Sequence, residues 1–344
     1  MCPSKLGGRR REDGRLEKLS DSLTGQHSVM PSSASTPALV AVSGGRDSVV
    51  MLHWLISQGH TQLIVCHLNH ALRGRESGQD AVFVRRLAKR LGLVCEIRRA
   101  DAAEYGEKHR MSVETAGRIL RHAFFGEMAV KHGARVIYLA HHADDQAETI
   151  LAHLCRGAGL TGASGMAQET EFIARGQRFL FVRPLLNWRR TEIDGYIREH
   201  GLSFREDSSN RSRGPRRNRL RHEALPLLSE IFERDVSPII ARCGQLAARD
   251  DAALWSLALR LSSEHLLPDG GLKITPCLKE EPPAILSRLL RWWLVESLKL
   301  YDLGHAEIER ALTMLQPGGP AKINLPGGHH LRRKAGRLWV QSPP

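Results

Sequence analysis

Six cysteines occur, at Cys2, Cys66, Cys95, Cys155, Cys243 and Cys277, and no two of them form a C-x-x-C pair. Zinc ribbons, iron–sulfur clusters and redox dithiols use such paired spacing, so all three are poorly supported. No apolar run is long enough to span a bilayer, and no signal-peptide pattern is visible. The Walker pattern G-x-x-x-x-G-K-S/T is absent, and so are internal repeats. The default expectation is a cytoplasmic protein with reduced thiols.

What is present is a chain of 344 residues, enough for two domains, with an ordinary 42% of hydrophobic residues. The formal net charge of +13 suggests a polyanionic partner, although charge alone is weak grounds for one. Residues 1–36 are rich in Ser, Gly and Arg and read as a basic, disordered extension. Apolar patterning then alternates between short runs and helical spacing. Strands are expected at Leu39–Val42, Gln62–Leu68, Leu93–Arg98, Arg135–Ala140 and Phe179–Arg183. Helices are expected at Ser48–Ser57, Gly78–Leu91, Val113–His132, Ala143–Cys155 and Thr191–His200. This order predicts the α/β class, a doubly wound parallel sheet covered on both faces. A catalytic domain over 37–228 is expected, then a mainly helical C-terminal domain over 229–344 with a small β element made of hairpins.

Chemistry-bearing residues fall just past the strands. After the first comes "SGGRDS", Ser43, Gly44, Gly45, Arg46, Asp47 and Ser48. Two glycines let the backbone turn and approach a ligand, and the next helix begins with unpaired N–H groups, a natural phosphate site. Taken alone, the same residues make an ordinary turn and N-cap. After the second strand, His67, Asn69 and His70 suggest the wall of a nucleotide pocket. After the fourth come His141, His142, Asp144, Asp145 and Glu148. Asp145 and Glu148, three apart on a helix, share a face and can hold magnesium or an amine. Seven arginines lie from Arg205 to Arg221 against Glu206 and Asp207, either a solvated linker or a phosphate-binding arm. His329, His330, Arg332, Arg333 and Lys334 form a second basic cluster.

"SGGRDS" resembles the pyrophosphatase loop of N-type ATP pyrophosphatases, the PP-loop superfamily, whose fold is adenine nucleotide alpha hydrolase-like. With "HLNHALRG", "ETAGRILRHAFF", "HHADDQAETILAHLCRGAGLTG", "RPLL" and "RRNRLRHEALPLL" in that order, the chain resembles the tRNA(Ile)-lysidine synthetase family. The loop marks only the superfamily; the ordered set is specific. The similarity runs from about Leu39 to Leu228, and "INLPGGHHLRR" resembles the family's C-terminal segment.

The resemblance implies ATP-dependent ligation of free L-lysine to carbon 2 of the wobble cytidine in a CAU anticodon, through an adenylated base. It implies ATP binding by Ser43, Gly44, Gly45, Arg46, Asp47, Ser48, His67 and Asn69, with Asp47 holding Mg2+. Asp145 and Glu148, catalytic with Asp47, would bind lysine, helped by Arg118 or Arg121. Arg205, Arg217, Asn218, Arg219 and Arg221 would bind tRNA, and a homodimer is compatible with the family. The family's Arg-Tyr pair is Arg121-His122 here, which bears on local packing. A tRNA cytidine thiolase of the same superfamily is the nearest rival, but it normally carries paired cysteines. A non-catalytic ATP-binding sensor would not need the acidic block.

Overall fold

The computed structural model describes residues 36–71, 75–206, 216–300 and 303–343. The N-terminal extension, Asp207 and the arginines at 211 and 213 lie outside the described residues. Two compact units are present, one ending at Ala248 and the other beginning at Arg249.

The first unit is built on β1 (Ala38–Ala41), α1 (Arg46–Ser57), β2 (Leu63–Asn69), α2 (Arg75–Arg90) and β3 (Val94–Arg99). It continues with α3 (Ala102–Lys108), α4 (Val113–His132), β4 (Val136–Tyr138), α5 (Ala143–Leu154), β5 (Glu169–Ala174), β6 (Gln177–Val182) and α6 (Arg190–His200). Arg216–Arg219, a π turn at Leu220–Ala224 and Leu225–Ile231 follow one another as a helical rod, α7, which precedes α8 (Ser237–His265).

The sheet order is β3-β2-β1-β4-β6-β5, parallel throughout except for the β5–β6 hairpin. The chain runs outward from β1 to β3, then crosses back to place β4 on the other side of β1. Side chains alternate across the sheet. Ala38 and Val40 pack with Leu52 and Leu55 on one face, while Leu39 and Ile137 pack with Phe124 and Phe125 on the other. Both faces are therefore covered, as the near-continuous apolar strands require.

Helix α4 coincides with its expected span because local signals close both ends. The Ser112 hydroxyl accepts from Thr115 N at 3.2 Å, and Gly133 ends the helix at φ 64°. Three elements went unforeseen, one of them the single-turn helix Leu160–Ala163. Helix α3 is short and capped by Asp101. Strand β5 is largely exposed and carries no apolar run; it exists through its pairing with β6 across a turn where Arg175 and Gly176 both have positive φ.

The second unit packs helices Pro283–Arg291 and His305–Thr313 against a four-stranded antiparallel sheet. Its strands are β7 (Leu272–Lys273), β8 (Lys322–Asn324), β9 (His330–Lys334) and β10 (Arg337–Gln341). Trp293 is fully buried in its core and donates from its indole N–H to the Gly270 carbonyl at 2.8 Å. Among the described residues no helix is long and apolar enough to cross a membrane.

Candidate active site

In open α/β sheets a crevice forms where the strand order reverses, beyond the carboxyl ends. Here that point lies between β1 and β4, and the two most chemically loaded loops flank it.

The phosphate loop follows β1. Gly44 sits at φ +92°, in the left-handed region, and a Cβ there would approach the Phe83 ring to 3.3 Å. The two serines brace the loop from within. Gly45 N donates to the Ser43 hydroxyl at 3.2 Å, Ser43 N donates to the Ser48 hydroxyl at 3.2 Å, and that hydroxyl donates to the Gly45 carbonyl at 2.8 Å. No side chain caps α1, so its first N–H groups and positive dipole end face the crevice. His67 is buried beneath the loop; its Nδ1–H donates to the Val42 carbonyl at 2.9 Å, and burial lowers its pKa. Asn69 accepts from Ala71 N at 2.9 Å and shapes the turn after β2.

Arg46 points elsewhere than a phosphate site. It ion-pairs with Asp194 on α6, and its guanidinium lies 5.0 Å from the Phe204 ring centroid. Asp47 faces the crevice. Its Oδ1 is buried and accepts no hydrogen bond, with Arg190 Nη1 3.7 Å away. Among the described residues no three His, Cys, Asp or Glu side chains gather to hold a metal ion. The donor set does not make a resident metal cage. It fits magnesium arriving on phosphates, which takes few carboxylates from the protein.

The acidic block begins α5 with a reciprocal cap. Asp144 N donates to His142 Nδ1 at 3.3 Å, and His142 N donates to Asp145 Oδ2 at 3.1 Å. His142 is buried, and its Nε2 lies 3.9 Å from Asp47 and 3.5 Å from Asp145. One imidazole thus joins the phosphate loop to the acidic block. Burial opposes its protonation, but Asp144, Asp145 and Asp47 outweigh it and raise its pKa. Sequence reasoning did not assign roles to His142 or Arg190; they gather here only because β4 and α6 converge on β1.

The largest departure concerns the basic arm. Arg217 Nε donates to Glu148 Oε2 at 2.7 Å, and its Nη2 lies 2.8 Å from Asp145 Oδ1. Arg221 bonds the same two carboxylates, Glu148 through Nε at 2.5 Å and Asp145 through Nη2 at 2.9 Å. The residues expected to hold lysine and those expected to hold tRNA are therefore one network. Packing enforces this: Leu225 and Leu228 of α7 lie against Ala147 and Leu151 of α5, and Arg217 and Arg221, four apart, share the face toward that helix. Arg205 bonds Asp80 and Gln79, and its backbone N–H donates to the Gly44 carbonyl at 2.9 Å. Arg219 is exposed and pairs with Glu223 at 3.0 Å, whereas Asn218 has partners of its own.

Burial alone would raise the Asp145 carboxyl, but His142, Arg217, His141 and Arg221 hold it down to about 2, from an ordinary 3.8. A depressed carboxylate adds stability above its unfolded pKa and loses that stability as pH falls through its folded pKa. Unfolding free energy should therefore drop as pH falls from 3.8 toward about 2. Asp145→Asn should flatten that limb in denaturant titrations run at stepped pH. An unchanged slope would mean that Asp145 is not held ionised.

Arg121 and Arg118 stand three apart on α4. Burial first, and then crowding with Arg217 and Arg118, lowers the pKa of Arg121. It is also a cationic neighbour of His70, whose pKa burial pushes down to about 4. It thus stands on the crevice side of α4, whereas Arg118 lines a separate groove. The family's tyrosine position keeps an aromatic packing role: the His122 ring lies 5.6 Å from Phe172 and 5.0 Å from Phe181. Burial pushes His122 down to about 4, so it stays neutral. In the second unit, Arg333 donates to the carbonyls of Met314 and Gly319, and Arg332 bonds Gln341, so part of that basic cluster braces the sheet.

The PP-loop domain family matches residues 18–228, and the TilS substrate binding domain matches 276–339. A tRNA(Ile)-lysidine synthase of Geobacter sulfurreducens is 40% identical over 258 residues, 74% of this chain and 53% of that protein. One from Dehalococcoides mccartyi is 36% identical over 305 residues, 86% of this chain and 64% of that protein. The chain thus spans between about half and two thirds of the length of these curated relatives. Among solved structures, a U34-tRNA thiolase from Methanococcus maripaludis covers 69% of this chain and 78% of its own, at 16% identity and a TM-score of 0.49. With its braced glycine loop at the point where β1 and β4 diverge, the chain belongs to the PP-loop family, and within it resembles the tRNA(Ile)-lysidine synthases.

Proposed function

We propose that this chain is a cytoplasmic ligase that joins free L-lysine to carbon 2 of the wobble cytidine in the CAU anticodon of isoleucine tRNA. The carbon-2 oxygen of the base attacks the α-phosphorus of ATP, and pyrophosphate leaves. The lysine side-chain amine then attacks carbon 2, and AMP leaves with the oxygen, giving lysidine. The observation that carries this reading is the placement of an uncapped phosphate loop and a buried acidic pair on one crevice, bridged by His142. A ligase with an adenylated intermediate needs both an anion site and an ammonium site within reach of one base.

The N–H groups at the start of α1 receive the phosphates. Asp47 would hold magnesium, which when bound neutralises charge on the leaving pyrophosphate. Asp145 and Glu148 receive the lysine ammonium. A carboxylate offers about four acceptor sites, and the arginines and the His142 N–H leave some of these open. The low pKa of Asp145 suits holding a cation and makes it a poor proton acceptor. Arg121, on the crevice side of α4, is our assignment for the lysine carboxylate. We assign tRNA binding to 229–344, supported by the substrate-binding match at 276–339. A homodimer is compatible with this reading.

The test is incubation with ATP, labelled lysine and unmodified isoleucine tRNA. Lysine transfer with release of AMP is expected; sulfur-dependent modification would favour the thiolase, and ATP retention without turnover a sensor. Glu148→Gln should raise the KM for lysine about 10-fold or more while changing that for ATP little, because an amide pairs poorly with an ammonium. Equal losses for both substrates would remove Glu148 from the lysine pocket.

A further inference from the structure

A groove of about 680 Å³ lies on the outer side of α4, away from the acidic block. Thr115, Arg118, Ile119, His122, Ala123 and Glu127 line one wall, and Ile173 to Arg175 of the β5–β6 hairpin line the other. The hairpin presses close: a Cβ on Gly126 would meet that of Ala174 at 2.5 Å, so α4 can seat against β5 only with glycine there. The groove is thus held between two packed elements.

Its composition is unusual for a solvated face. Ile119 is 39% exposed and Ile173 65% exposed, so each wall carries an apolar side chain that is uncovered. Its one carboxylate, Glu127, is already shared between Arg98 and Arg175. Arg118 is exposed and pairs with no carboxylate among the described residues. Behind it, Arg183 is buried, spends Nη1 on the Ala167 carbonyl and the Thr170 hydroxyl, and leaves Nε without a partner. The groove therefore pairs apolar side chains on both walls with the uncompensated positive charge of Arg118. Three residues along the same helix, Arg121 carries positive charge on the crevice side.

We propose that this groove binds an unpaired nucleotide of the RNA substrate outside the crevice that takes the modified cytidine, with its base between Ile119 and Ile173 and its phosphate on Arg118. The inference rests on the proposed RNA substrate. Charge complementarity selects a polyanion, and the two facing apolar side chains select one that offers an unpaired base. Single-stranded RNA has both properties, and base packing of this kind tolerates any sequence. An acidic peptide would satisfy the arginine and leave the isoleucines uncovered. Arg118 lies three residues from Arg121, within one helical turn, so the phosphate end of the groove is the end nearer the crevice; Ile173, opposite Arg178 near the amino end of β6, marks the far end.

The experiment compares wild type, Ile173→Asp and Arg118→Gln for binding of unmodified isoleucine tRNA at two salt concentrations. Thermal melting and the affinity for ATP are measured alongside. Ile173 lies on an exposed hairpin, so the melting temperature should hold. Each variant should weaken tRNA binding about 10-fold, within the range of one lost base or phosphate contact. Arg118→Gln should also flatten the salt dependence by roughly one unit of slope, while Ile173→Asp should not. Ile173→Val and Arg118→Lys should restore affinity. Unchanged tRNA affinity in both variants overturns the groove, as does equal loss of ATP affinity. Binding decides this whether or not lysine is transferred: wild type that binds tRNA but transfers no lysine refutes the lysidine reaction alone.

Discussion

Asp47→Ala should leave the melting temperature within a few degrees of wild type and lower pyrophosphate release by about 10²–10³-fold, the scale on which a lost charge-stabilising group acts. Asp47 is the carboxylate that the start of α1 turns into the crevice, and its Oδ1 is buried without a hydrogen bond. Its neighbours are cations or can become so, Arg190 at 3.7 Å and His142 at 3.9 Å. Removing it leaves two positive groups facing the phosphates, which should preserve ATP affinity better than turnover. The signature is therefore a fall in kcat with a smaller change in the KM for ATP. Asp47→Asn should be nearly as slow, because it keeps the shape and loses the charge. A variant that adenylates tRNA at the wild-type rate would show that Asp47 plays no part in the leaving-group chemistry.

Arg217→Gln combined with Arg221→Gln should be the most destabilising surgery at the site. The two arginines are the cations bonded to Glu148, whose side chain is 2% exposed, and they also bond Asp145, at 11%. A buried carboxylate stripped of its partner costs about 3–5 kcal/mol. The arginine side chains are 40% and 28% exposed, so water can enter, and the lower end of that range is expected. Adding Glu148→Gln to the double variant should recover part of the loss, since it removes the orphaned charge. Urea unfolding of the three proteins measures this. If the arginines act only on RNA phosphates, stability will hold and only the salt slope of tRNA binding will change. Loss of stability together with loss of lysine affinity is the result expected of a shared network.

That network also bears on how substrates meet. Arg217 and Arg221 sit on α7 and are themselves residues expected to touch RNA, yet they hold the carboxylates expected to take lysine. Any RNA contact that draws on this rod would act on the lysine site through two bonds per arginine. Buried ion pairs are weak sources of net stability but effective at fixing one geometry. Here they hold α7 against α5 in one register, alongside the apolar contact of Leu225 and Leu228.

Much of the first unit was legible in the sequence because its signals are local. The glycines of the loop, the Ser112 cap, Gly133 and the 3.6-residue apolar spacing of α4 act within a turn or two of themselves. For the same reason the order of strands and helices and the positions of the two loops followed from patterning, and the ordered motifs carried the family resemblance. Strand β5 was missed because an exposed edge strand has no apolar period to read; its partner β6 makes it a strand.

What only the tertiary structure decided is which charges meet. The sequence contains Arg46 inside the phosphate motif, but α6 brings Asp194 to it and turns it away. It contains Arg190 without any motif to mark it, and the same helix start carries that residue to Asp47. It contains Arg217 and Arg221 in a basic run that reads as a solvated linker or a phosphate-binding arm, and helix packing aims them inward at Glu148 and Asp145. Apolar periodicity selects which face of a helix is buried, because that depends on each residue's own hydration. The partner of a long charged side chain depends on which elements lie within reach of its tip. That distance is set by the sheet crossover between β1 and β4 and by the seat of α7 on α5, neither of which any single segment encodes.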